Sequence, residues 1–384
     1  MLIKGKQAEP AEAIPIRPVR RMAAKALAGV AASWRAANQL KKPQPKRILV
    51  VDPVGLGDIV TCEPLIRELL AAEKEVVICS KAVFKTLFPE HNLLHWAPLH
   101  LPFGSPDEKA KYAFKYYYSD PFRSDILNLR KVAGGATALD LRGDIRCVLL
   151  LYAVGCRRVI SLSNYLGSNL HMSPAAAEIV PFQNGIRRWE LNLKFLEELV
   201  ARAPIQSSRP RFAHLIDRKE TRRVCFMPIA PWPGKFWQKE RWIDLAASFR
   251  ERGFTVEVLC GPNQRAETRA LVGGALDIVE CGSVERWISE LNNCRCLITV
   301  DSGPMHLADA LDVPLVALFG QGKLPLWAPS AARSRFIHHQ DDPDFSICQP
   351  IFQNIPLGQK FMNRITVDEV MKAVDEIAAG VPAD

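Results

Sequence analysis

Short apolar runs alternate with longer stretches of helical periodicity along most of the chain. Runs at 48–52, 75–79, 137–141 and 158–162 are rich in Val, Ile and Leu and read as strands. Apolar positions at helical spacing fill 62–72, 145–154 and 188–202. Strands without an outward polar face, separated by helices, predict a parallel sheet covered on both sides. Between Gln206 and Lys219 the periodicity fades and polar residues take over, which predicts a linker. The rhythm then restarts, with strands at 224–229, 255–260, 296–300 and 315–319 and helices at 240–252, 264–272 and 284–294. A last helix, 366–379, opens on Thr366 three residues before Glu369, the spacing of a capping box. The pattern predicts two α/β domains, 47–215 and 216–384, with a cleft between them. Ligands of open α/β sheets bind at the C-terminal edge of the strands.

Charge changes the picture at one end only. The 384 residues carry a net charge of +9, and residues 1–46 hold ten basic and two acidic side chains. The body is therefore near neutral, and a basic N-terminal arm carries the field. Between Val19 and Asn38 the arm reads as a helix, with Met22, Leu27, Val30 and Trp34 on one arc and Arg21, Lys25 and Arg35 opposite. Such a helix suits an anionic membrane surface; the alternative is a solvated tail. Lys25 interrupts the apolar stretch that a signal peptide would need. No run of 18 apolar residues predicts a membrane span. The ten cysteines form no Cys-x-x-Cys pair and sit mostly in apolar runs, as expected of reduced thiols in a cytoplasmic chain. No base-reading signal accompanies the basic arm, so nucleic acid is not an expected partner.

Candidate chemistry lies at three strand ends. The stretch "ILVVDPVGLGDIVTCEPLI" runs from a strand through Gly55 and Gly57 into a helix. A dinucleotide fingerprint would need glycine at position 60, where Val60 stands, and no Walker lysine follows. Asp58 after the second glycine would repel a phosphate. A carboxylate presented at a cleft rim can instead take a proton from an alcohol; the alternative is that it caps the helix. In "ITVDSGPMHLADAL", Asp301, Ser302 and Gly303 end a strand and open a helix carrying His306. Helix N-termini attract anions, and His306 either serves the ligand or packs. In "APWPGKFWQKERW", Lys235 projects from a Pro-Gly loop and Lys239 follows one turn later, both candidates for a diphosphate. Trp237 and Trp242 are expected to pack.

Together with "LDLRGDIRCVLL", "RRWELNLKFLEEL" and "DSGPMHLADALDVPLVALFG", these stretches resemble glycosyltransferase family 9, the lipopolysaccharide heptosyltransferases. The resemblance implies a GT-B fold, two Rossmann-like domains facing across a cleft. It implies an acceptor glycan or glycolipid on the first domain and a nucleotide sugar, typically ADP-heptose, on the second. Transfer would invert the anomeric centre without an obligatory metal or other cofactor. Asp58 matches the base of that family, Lys235 its phosphate grip, and Asp301, Ser302, Gly303 and His306 its donor block. Gln321, Gly322 and Lys323 depart from the family pattern, as does the lack of an acid between Gly261 and Glu267. A relative using another sugar stays open on those grounds; a non-catalytic binder of the same fold is the alternative from another class, against which the intact Asp58, Lys235 and Asp301 block argues.

Overall fold

The computed structural model describes residues 18–40, 46–52, 55–99, 120–163, 176–199, 208–320, 322, 324–339 and 355–380. Residues 1–17, 200–207, Gln321, Lys323 and Cys348, on which parts of the sequence reading fall, lie outside them.

The first sheet comprises β1 (Arg47–Val51), β2 (Glu75–Cys79), β3 (Leu94–Trp96), β4 (Thr137–Asp140), β5 (Arg158–Leu162) and β6 (Glu178–Val180). The second comprises β7 (Arg223–Met227), β8 (Thr255–Cys260), β9 (Asp277–Glu280), β10 (Cys296–Val300), β11 (Leu315–Phe319) and β12 (Ser334–His338). Their orders, β3-β2-β1-β4-β5-β6 and β12-β11-β10-β7-β8-β9, are the same doubly wound pattern, parallel throughout. The central strands are buried on both faces, as their uninterrupted apolar sequences require. The short outer strands β3, β6, β9 and β12 carry no such run and were not expected.

The helices are α1 (Pro18–Gln39), α2 (Leu56–Thr61), α3 (Glu63–Ala71), α4 (Asp120–Ala133), α5 (Ile145–Val154) and α6 (Arg188–Leu193) in the first half. In the second half they are α7 (Lys239–Glu251), α8 (Arg265–Val272), α9 (Val284–Asn292), α10 (Gly303–Ala310), α11 (Ile355–Met362) and α12 (Val367–Ala378). The box at α12 is complete, with Thr366 and Glu369 each accepting the other's backbone N–H. The helix expected over 188–202 is shorter, because the chain tightens into a 3-10 turn at Lys194–Leu196.

The basic arm is not a separate appendage over its helical part. α1 packs on α5 and β5, burying Ala31 and Asn38, whose Nδ2 donates to the Tyr152 carbonyl at 2.7 Å. Leu27, expected to share an apolar arc with Val30 and Trp34, turns toward the body instead. Val30 and Trp34, one turn apart, stay 44% and 40% exposed.

The apolar interior forms three layers. One lies on the outer face of each sheet, and the third joins residues of both halves, from Val60 and Leu65 through Phe212 to Leu307 and Leu326. Residues 208–212 strap the halves together beside that layer. Glu63 at the start of α3 accepts the Arg211 N–H at 3.1 Å and Arg67 Nη1 at 2.9 Å. Arg67 also grips the Ser208 carbonyl, at 3.0 Å. Arg209 and Arg211 hold Asp312 just beyond α10.

Candidate active site

Each sheet reverses its winding between two central strands, β1 and β4 in the first and β7 and β10 in the second. The loops leaving such a pair diverge and leave a crevice at the C-terminal edge. The sequence candidates sit at these two points. Gly55, Gly57 and Asp58 follow β1, Lys235 follows β7, and Asp301, Ser302 and Gly303 follow β10.

The two crevices face each other, and α2 packs against α10. Glycines set how closely. A Cβ on Gly57 would lie 2.7 Å from His306 Cδ2, and one on Gly303 would lie 3.2 Å from Leu56 Cβ. Both are tighter than ordinary contact, so larger residues would push the halves apart. Asp58 occupies the first turn of α2 but does not cap it, because the helix already begins at Leu56 with Gly55 at the cap. Its carboxylate is half-buried, turns back over Gly55, and acts electrostatically on His306 across the gap.

On the opposite wall, Lys235 Nζ donates to Asp301 Oδ2 at 2.6 Å and to the Asp301 carbonyl at 3.2 Å. The 3-10 turn Pro233–Lys235 that presents the lysine is braced by α11. A Cβ on Gly358 would fall 2.6 Å from the Gly234 carbonyl oxygen. Gly322 also lies close against Asp301, its Cβ position 2.9 Å from Oδ2. Ser302 is buried and holds the cap position of α10 without a side-chain cap bond. Its hydroxyl lies 3.4 Å from Thr299 Oγ1 and 3.8 Å from Met227 Sδ. The first-turn N–H groups of α10 are therefore free of side-chain caps where an anion would benefit from them.

His306 is buried against Gly57 and the Trp327 ring, with centroids 5.4 Å apart. Burial lowers its pKa against the opposing fields of Asp301, Asp309 and Asp58, which favours a neutral imidazole. Lys239 does not join the cluster. It is exposed on the first turn of α7, with its Cε against Gly273 at the end of α8. Trp237 and Trp242 pack edge to face at 5.1 Å in the core.

The structure adds residues to which the sequence reading gave no role. Asp140, at the end of β4, is wholly buried and accepts Ser161 Oγ at 2.7 Å and the N–H groups of Arg142 and Asp144. Burial pushes its carboxyl up to about 6 despite those bonds. The turn it ties, with Gly143 at φ 72°, presents half-buried Arg142 at the same edge as Asp58. Arg142 lay inside "LDLRGD", but only the fold places that turn beside β1. Behind it Arg188 is 1% exposed, donates to the Leu141 carbonyl at 2.6 Å and lies 3.9 Å from Asp52. A shallow groove of about 520 Å³ lies elsewhere, on the outer surface by Arg252, Met371 and Asp375.

Residues 184–351 match the sequence profile of glycosyltransferase family 9 (heptosyltransferase). Lipopolysaccharide heptosyltransferase 1 of Pseudomonas aeruginosa is 32% identical over 100 residues, 25% of this chain and 28% of that protein. Lipopolysaccharide heptosyltransferase 2 of Salmonella typhimurium is 30% identical over 130 residues, 30% and 35% of the two chains. These matches span only about a third of the relatives' length. Likeness of fold extends further. The solved E. coli heptosyltransferase WaaC with ADP superposes with a TM-score of 0.64 at 15% identity, over 86% of this chain and 99% of that one. A family 9 glycosyltransferase from Veillonella parvula gives 0.66 at 18% identity, over 88% and 98%. The fold is thus GT-B.

Proposed function

We propose, for a chain whose residues 184–351 match the profile of glycosyltransferase family 9, that it transfers a sugar from a nucleotide diphosphate donor to a surface-glycan hydroxyl. The sugar is a heptose and the acceptor is of lipopolysaccharide type. One observation carries the reading. Asp58 at the first switch point and Lys235 at the second both act electrostatically on the same buried His306, which stands in the first turns of a helix, α10, whose N-terminus has no side-chain cap.

The donor diphosphate lies against the start of α10. Lys235, an ammonium with three N–H donors, keeps a bond to Asp301, which aims it, and gives another to the phosphates. The acceptor hydroxyl meets Asp58. As its oxygen attacks, its proton passes to that carboxylate. The anomeric C–O bond to the diphosphate breaks while the new bond forms on the opposite face, with inversion. Lys235 and the α10 N–H groups take up the charge growing on the leaving group, so no metal is required of the step. Arg142, whose guanidinium makes no hydrogen bond among the described residues, adds positive charge on the acceptor side.

Val30 and Trp34, with the net positive arm, hold the protein to the cytoplasmic face of an anionic membrane, near a lipid-borne acceptor. Transfer of another sugar is the second reading, favoured by the absence of an acid between Gly261 and Glu267.

The test is incubation with a panel of nucleotide sugars and a truncated lipopolysaccharide acceptor, following nucleotide release and acceptor mass. ADP-heptose is expected to turn over, and Asp58→Ala to lose roughly 10²–10⁴-fold in rate with nucleotide affinity unchanged. Full activity of that variant would remove Asp58 from the chemistry. No turnover with any donor would leave a binding protein.

A further inference from the structure

We propose that Glu280, at the end of β9, binds the ribose hydroxyls of the donor, and that the nucleoside lies between the turn 261–264 and the segment 280–283. This rests on the donor reading above. With a diphosphate fixed between the ends of β7 and β10, the nucleoside can extend along the strand edge in two directions.

Toward β11 the space is taken. Trp327 covers His306, α11 presses on the Gly234 turn, and Gly322 lies on Asp301. Toward β8 and β9 the edge is open. Pro262, Asn263, Gly282 and Ser283 are exposed, and a Cβ added to Gly282 would meet nothing within 4 Å. Glu280 pairs in register with Cys260, the last residue of β8, and therefore stands level with that edge.

The carboxylate of Glu280 is held but not spent. One oxygen accepts the Asn263 N–H at 2.9 Å, while the other lies 3.8 Å from Arg265 Nε, beyond hydrogen-bonding distance. Gln264 already commits its oxygen to the Gly261 N–H at 2.9 Å. A vicinal diol offers two O–H donors, and an ionised carboxylate accepts them strongly. The acid missing from the β8 turn is thus supplied by the neighbouring strand.

The experiment is calorimetric titration with ADP, GDP and UDP and their 2′-deoxy counterparts. In the wild type, the ribonucleotide that binds tightest is expected to exceed its deoxy form by about tenfold or more. Glu280→Gln keeps an oxygen for Asn263 but loses the charge and one acceptor. It is expected to bring that ratio within about twofold while deoxynucleotide affinity holds. Equal binding of the two forms by the wild type, or an undiminished ratio in the variant, would overturn the proposal. If no nucleotide binds the wild type, the donor site itself is wrong. Should Glu280→Gln fail to fold, Glu280→Asp, one methylene shorter, gives the same reading, and a full ratio there also overturns it.

Discussion

Single residues at this site work in pairs that lie far apart in sequence. Lys235 and Asp301 are 66 positions apart yet share a 2.6 Å bond with little solvent access. In the proposed reaction that pairing holds the lysine ready for the incoming diphosphate. Lys235→Ala is expected to weaken nucleoside diphosphate binding by about tenfold or more, and unchanged calorimetric affinity would count against its role. That Asp58, Lys235 and Asp301 would fall just beyond strand ends was legible in the sequence, because each stands close to a glycine that follows an apolar run. Such positions fall at strand edges whatever the details of packing. Lys239 stands apart from Lys235 and Asp301 because spacing of one turn says nothing about which way a helix faces. Arg142 and Glu280 drew no notice in the sequence, since their places at the two strand edges come from strand order, which a linear pattern does not contain.

At the scale of elements, the strap around Glu63 couples the Asp58 side of the molecule to the far end of α10. Burial pushes the Glu63 carboxyl up to about 7, against the opposing pull of Arg67, the Arg211 N–H and Arg209; Glu68 adds to the rise. The folded protein thus holds the proton to higher pH than an unfolded chain with the usual value of 4.5. The protonated group's contribution is complete below that value and lost as pH climbs through about 7. Glu63→Gln cannot ionise, so its stability relative to wild type is expected to rise from pH 5 to pH 8. Chemical denaturation at several pH values checks this, and a difference independent of pH would refute it. Elements buried on both faces, such as β1, β10 and β11, could be read directly from composition. The edge strands could not, because three to five residues with one open face lack a distinctive run. The helix beginning at Arg188 was overextended for the opposite reason: apolar spacing continues past Leu193 while the backbone has already tightened.

At the scale of the whole molecule, α1 is both part of the body and the bearer of an exposed Val30–Trp34 pair. Deleting it would also bare the surface beneath Ala31, so substitution is the cleaner probe. Val30→Ser with Trp34→Ser is expected to reduce flotation with anionic vesicles while leaving the melting temperature near that of wild type; equal recovery would dispose of membrane docking. The apolar layer shared by the two halves has a consequence for how the protein comes apart. Neither lobe can melt while its neighbour survives without baring that oily seam to water. Scanning calorimetry should therefore record one endotherm, with calorimetric and van't Hoff enthalpies in agreement, where two autonomous lobes would give two.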